Sequence, residues 1–328
     1  MVDVWKIPVG FPIENYKLGQ LYMIARHSAE QSDGGEGIEV IENGPHSDPV
    51  HGEGQFTEKR VHLSGKLPVW IRSYVPRFIY LTEKAWNYYP YTETEYTCSI
   101  IPRFSIKVKT RYENNNGSSD NCLGLSEEDL KQRIVEHVDI LDPIEEKHYK
   151  KEEDPKYFKS VKTGRGPLEE GWRDIADVIM CSYKLVDVSF QVFGLQTKVE
   201  DWSHRAIRNV LLLGHLQAFA WIDEWFGMSI DDVRAYETNM QEETNEKIRS
   251  ALKEKGDPES QTVENKDDKG NEEEEEEEEE EAKENDSNDG TKSKTKGSST
   301  PSTSNSSQQS PTDSSQKSGY ISSWFKWS

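Results

Sequence analysis

The stretch Thr82–Thr97, TEKAWNYYPYTETEYT, decides the reading of the fold. It begins as a strand, turns at 87–90 and alternates from Tyr91 onward. Successive strand side chains point to opposite faces. Tyr91, Glu93, Glu95 and Thr97 therefore share one face, and Thr92, Thr94, Tyr96 and Cys98 share the other. Charge is expected on one side only. The opposite side carries neutral hydroxyls, which can bond a buried polar ligand without the desolvation cost of an unpaired ion. An ordinary surface hairpin produces the same pattern, so this stretch alone leaves both readings open.

Three more segments repeat the alternation. In GQFTEKRVHL (54–63), Gln55, Thr57, Lys59, Val61 and Leu63 oppose Phe56, Glu58, Arg60 and His62. In RFSIKVKTRY (103–112), Phe104, Ile106, Val108 and Thr110 oppose Ser105, Lys107, Lys109 and Arg111. In YKLVDVSFQVF (183–193), Lys184, Val186, Val188, Phe190 and Val192 oppose Leu185, Asp187, Ser189 and Gln191. Each apolar face ends in polar groups: Thr57 and Lys59, Thr94, Thr110, Lys184. A greasy sheet face with a cationic, hydroxyl-rich end suits a ligand with an anionic head and an apolar tail.

The 328 residues divide unevenly, with a domain expected over 1–255 and a disordered acidic and Ser-rich tail over 256–328. The tail holds 19 acidic and 8 basic residues, including ten consecutive glutamates at 272–281, and cannot offset chain entropy by burial. It ends in the aromatic cluster Tyr320, Trp324, Phe325 and Trp327. The other 255 residues suffice for one large core. A net charge of −21 argues against nucleic acid, whose recognition rests on cations. It argues equally against adhesion to anionic membrane by bulk charge. Three scattered cysteines fit a reducing compartment, and no signal peptide or membrane-spanning run is visible. A cytoplasmic monomer is expected.

Strands are expected at Asp3–Val9, 37–41 and 134–140, and helices at Asn15–Glu30, near Val69–Tyr74 and over Val199–Phe226. Residues 43–53 read as loop, as do 143–180 with their charges and glycines. A last helix starts at Ser229, with Asp232 completing a capping box and Met228 and Val233 placed as a hydrophobic staple. Its stripe of Ile230, Val233, Met240, Thr244 and Ile248 is interrupted by Glu237, either a stripe-edge carboxylate reaching water or a group facing the polar end of a pocket. No nucleophile elbow, zinc-protease motif, dinucleotide fingerprint or phosphate-loop spacing occurs. His46, Asp48 and His51 fit partnerless loop residues better than a metal site. No cofactor and no enzymatic step are expected.

GQLYMI (19–24), GQFTEKR (54–60), TEKAWNYYPYT (82–92), EEDPKYFKSVKTGRGPL (152–168), MCSYKLV (180–186), FGLQTKVE (193–200) and QAFAWIDEWF (217–226) together resemble phosphatidylinositol transfer proteins, in unbroken order over about 3–250. GQFTEKR, WNYYPYT and YTCS are worded as in class II, the retinal-degeneration-B-beta or cytoplasmic type. The resemblance implies an α+β START-like helix-grip fold, a concave and mostly antiparallel sheet closed by long helices around one phospholipid. It implies inositol contacts at Thr57, Lys59, Asn87 and Glu237, phosphate contacts at Gln20, Thr94, Thr110 and Lys184, and a regulatory serine at Ser160. Where class I members carry a Trp-Trp membrane-docking pair, this chain has Val192 and Phe193. Where they hold a Cys and a Phe favouring phosphatidylcholine, it has Thr92 and Gly214. Phosphatidylinositol and phosphatidic acid, bound as cargo and moved between membranes, are the pair class II implies. Two other readings fit the residues: a lipid sensor acting through its tail, and a cavity enzyme on the same architecture.

Overall fold

The computed structural model describes residues 3–256, apart from 64, 74, 77, 102 and 193. The tail and its motifs lie outside the described residues. Eight strands run β1 Asp3–Val9, β2 Gly37–Asp48, β3 Gly52–His62, β4 Tyr80–Tyr88, β5 Tyr91–Thr97, β6 Phe104–Glu113, β7 Ile134–His137 and β8 Met180–Phe190. The helices are α1 Ile13–Gln31, α2 Val69–Arg72, α3 Glu127–Gln132, α4 Trp172–Ile175, α5 Gln196–Ala220, α6 Ile222–Trp225 and α7 Ile230–Glu254. The strands form one sheet in the order β2-β3-β4-β5-β6-β8-β1-β7. Every neighbouring pair is antiparallel except β1 with β7. The chain is thus α+β, as the resemblance implies.

Alternation becomes two chemically distinct faces. On one, the charges pair across strands: Lys84 with Glu58 at 3.2 Å, Lys107 with Glu95 at 3.1 Å and Lys109 with Glu93 at 4.0 Å. These exposed pairs are each worth about 0–1 kcal/mol, so they mark the wet face more than they hold the sheet. The other face carries Val61, Ile106, Val108, Val186 and Val188, all buried. There α1, α5 and α7 pack.

The helices meet at an aromatic node. Trp225, fully buried, lies so close to α1 that a Cβ at Gly19 would stand 2.7 Å from the indole. Its Nε1–H donates to the Ala218 carbonyl at 2.9 Å. That bond satisfies a carbonyl near the end of α5, where intrahelical partners run out. The expected single helix over Val199–Phe226 is therefore broken at Trp221 into α5 and α6.

Residues 43–53 were expected as loop and prove to be the distal half of β2 and its turn. His46 pairs with Gly54 and Asn43 with Thr57, so cross-strand hydrogen bonds override a Gly- and Pro-containing composition. Only 49–51 turn, with the Asp48 carboxylate accepting from the backbone N–H of Val50 and His51 at 2.8 Å. His46 is not partnerless: its Nδ1 lies 2.7 Å from the Tyr88 hydroxyl. The expected strand 134–140 stops at His137.

α7 begins as expected. Ser229 and Asp232 exchange both bonds of the capping box, at 3.1 and 2.8 Å. Further along, Asn245 lies against the β2 edge at the bulge between Val40 and Glu42. Its amide accepts from Val40 N–H at 2.8 Å and donates to Val40 C=O at 2.7 Å, mimicking a missing strand neighbour. The charged connection before β8 is anchored as well. Glu153, buried, accepts from Gln217 at 3.2 Å and from the Trp221 indole at 3.1 Å.

Candidate ligand-binding cavity

Between the apolar sheet face and the helices lies a cavity of about 560 Å³. Strand register organises its wall. Gln55, Asn87, Thr92, Thr110 and Lys184 stand in one row across β3, β4, β5, β6 and β8. The row formed by Thr57, Ala85, Thr94, Val108 and Val186 comes next, then Lys59, Glu83, Tyr96, Ile106 and Val188. Beyond these the lining is Val61, Leu63, Leu67, Ile79 and Phe104. One end is polar, and the rest is hydrocarbon and aromatic.

The polar end is densely bonded. Lys184, 5% exposed, donates to Thr110 Oγ1 at 3.1 Å, and its Nζ lies 5.8 Å from the Tyr112 ring centre. Burial pulls its pKa from 10.5 down to about 7, slightly opposed by Cys181. Gln20, from α1, donates to the Tyr112 hydroxyl at 2.7 Å. Thr92 donates to Asn87 Oδ1 at 3.3 Å. Lys59 Nζ lies 3.6 Å from Glu83, and both side chains are largely enclosed. On α7, Arg234 pairs with Glu237 at 2.5 Å.

All eight residues expected at the head of the ligand, Gln20, Thr57, Lys59, Asn87, Thr94, Thr110, Lys184 and Glu237, line this one cavity. Thr92 and Gly214 line it too, and a Cβ at Gly214 would come within 3.2 Å of Met23. Val192 is half-buried at the wall, while Phe193 lies outside the described residues. Ser160 is elsewhere. Its hydroxyl is 2% exposed and donates to Asp223 at 2.5 Å. Asp223 also accepts from the N–H groups of Val161 and Lys162. Burial opposes the ionised form of Asp223, yet those hydrogen bonds hold its pKa below the usual carboxylate value.

Among the lining groups that escaped the sequence reading are Glu83, Arg234, Tyr112 and His215. Glu83 is an inner-face charge on β4, outside the alternation read from Tyr91 onward. It shares the inner face with Ala85 and Asn87, and its cross-strand neighbour is Lys59. That opposition, an anion facing a cation, is the signal that finds it. Arg234 is legible as the i,i+3 partner of Glu237. Tyr112 and His215 carry no such signal, since an aromatic on a buried face reads as core.

An apolar chamber ended by enclosed cations and hydroxyls has the chemistry to hold an amphipathic anion. Comparison with known proteins shows the family. The phosphatidylinositol transfer protein family model matches residues 1–242, and the chain belongs to that family, on its class II branch. It is 62% identical over 249 residues to the Drosophila melanogaster protein named cytoplasmic phosphatidylinositol transfer protein 1, covering 76% of this chain and 91% of that one. The human protein of the same name is 57% identical over 249 residues, covering 76% and 75%. Drosophila protein retinal degeneration B is 43% identical over 259 residues, which span 74% of this chain and 21% of that much longer one.

Proposed function

We propose that this protein carries one phospholipid, phosphatidylinositol or phosphatidic acid, between membranes in the cytoplasm, on a START-like helix-grip frame and without a chemical step. The observation that carries the reading is the enclosed Lys184–Thr110 pair at the polar end of an otherwise apolar cavity. The energetics demand such a chamber. Each methylene removed from water is worth roughly 0.8 kcal/mol, so exposing the thirty or so of a diacyl lipid costs on the order of 25 kcal/mol. A carrier must replace one apolar surroundings with another.

Lys184, Thr110, Thr94 and Gln20 hold the phosphate. Thr57, Lys59, Asn87 and Glu237 read the inositol hydroxyls, which satisfy polar groups that other heads leave unpaired. Thr92 and the bare Gly214 set the room left for the head. Loading requires α7 to swing as a lid at the bilayer while the Val192–Phe193 loop inserts. Ser160 acts as a modification site only when its loop opens, because a phosphate there would meet the Asp223 carboxylate.

The test is mass spectrometry of the lipids that co-purify with the full chain, followed by transfer of labelled lipid between vesicles. Unchanged phosphatidylinositol and phosphatidic acid at about one lipid per chain are expected. An empty cavity, or a hydrolysed lipid, would refute the reading.

A further inference from the structure

His215 is a buried polar group that the headgroup contacts leave unused. It sits on α5, 3% exposed, in the cavity wall, with its ring stacked on Tyr16 at 5.7 Å. Its Nδ1 lies 2.7 Å from the Leu211 carbonyl, four residues back on the same helix. A carbonyl only accepts, so the proton is on Nδ1 and Nε2 presents a lone pair. That Nε2 is buried and has no hydrogen-bond partner. The ring stays neutral: burial and the nearby Lys184 press its pKa down to about 3.

The groups assigned to the phosphate each offer it a proton: the ammonium of Lys184, the amide of Gln20, the hydroxyls of Thr94 and Thr110. An acceptor among them is unsatisfied by a phosphodiester, whose free oxygens carry no hydrogen. A phosphomonoester differs. Its monoanion keeps one P–OH, and a buried site with a single cation balances one negative charge, so burial holds that proton in place.

We propose that His215 Nε2 accepts the P–OH hydrogen of a bound phosphomonoester lipid, making it the residue that admits phosphatidic acid alongside phosphatidylinositol. The inference rests on the carrier reading above and names how one of its two cargoes is recognised.

The probes are phosphatidic acid, phosphatidylinositol and phosphatidylmethanol, a diester with neither P–OH nor inositol. Full-length wild type and His215→Phe are loaded from vesicles of each. Phenylalanine keeps a flat ring on Tyr16 and removes the lone pair. Phosphatidic acid loading is expected to fall roughly tenfold, the scale of one buried hydrogen bond, with the two diesters within about twofold of wild type. His215→Gln, which can turn an amide oxygen to the same place, restores most of the loss. Equal losses for all three lipids, a loss confined to phosphatidylinositol, or no loss at all overturns the proposal. Nitrogen-15 imidazole spectra of the wild type provide a readout independent of the variants' folding. The Nε2 resonance shifts with phosphatidic acid bound and stays put with phosphatidylmethanol, and an unmoved signal in both refutes the contact. A wild type that loads none of the three lipids refutes the carrier reading itself, whereas one that loads phosphatidylinositol but not phosphatidic acid refutes this inference alone.

Discussion

An ammonium enclosed like that of Lys184 costs free energy until something negative arrives beside it. The unfolded chain keeps that proton up to about pH 10.5 and the empty fold only to about 7. Between those values the unfolded state binds more protons, so the lipid-free protein gains stability as pH rises through the window, and below pH 7 it bears the full penalty. Replacing Lys184 with Met is expected to raise lipid-free stability at pH 7 by about 1–3 kcal/mol, as when buried ionic groups give way to apolar ones. Melting curves from pH 6 to 10 should show the variant with a flatter slope, and vesicle assays should show it losing roughly tenfold in loading for either cargo. A destabilised Met variant would remove the charge argument. Lys59 differs, because Glu83 already balances it. Lys59→Ala or Thr57→Ala should weaken phosphatidylinositol transfer roughly tenfold while sparing phosphatidic acid, which lacks the inositol we assign to them. Equal loss for both lipids in the transfer assay would move these residues out of the inositol site.

α7 is tied down at its start and again in its second half. The capping box fixes its start, and the Asn245 amide clasps Val40 N–H and C=O on the edge strand β2, beside its bulge. The clasp works because an edge strand's unpaired groups need covering. It also places Arg234 and Glu237, about two to three turns earlier, at the cavity. If α7 is the lid, the clasp is its latch. Asn245→Ala removes two hydrogen bonds, about 1–3 kcal/mol together, without touching the lining. Hydrogen exchange along α7 should quicken and lipid transfer should speed up, since opening precedes exchange. Unchanged exchange in α7 would show that the helix is held elsewhere, for example by the stacking of Tyr236 on Tyr22 at 4.6 Å.

At the scale of the whole molecule, the family match ends at residue 242 and the described residues at 256, so the glutamate-rich tail lies outside both. A chain ending after Gly256 is expected to melt as the full chain does and to transfer phosphatidylinositol within about twofold of its rate, because residues 3–256 hold a sizeable buried core of their own. A transfer-dead truncation with an intact melt would favour the sensor reading instead. The residues themselves determined which side chains share a face, because the strand period is two whatever the partner strand. That is how Thr57, Lys59, Thr94, Thr110 and Lys184 were legible, and the helix period likewise exposed Glu237. Register was not legible, because it depends on which strand lies opposite and where a bulge shifts the count. Only the folded sheet aligned Asn87, Thr92, Thr110 and Lys184 into one polar row, and only it turned 43–48 from apparent loop into paired strand. The break at Trp221 needed the Trp225 indole to reach the Ala218 carbonyl. His215 needed a cavity around it before its lone pair meant anything, since a histidine on a helix has no function until its surroundings deny it water.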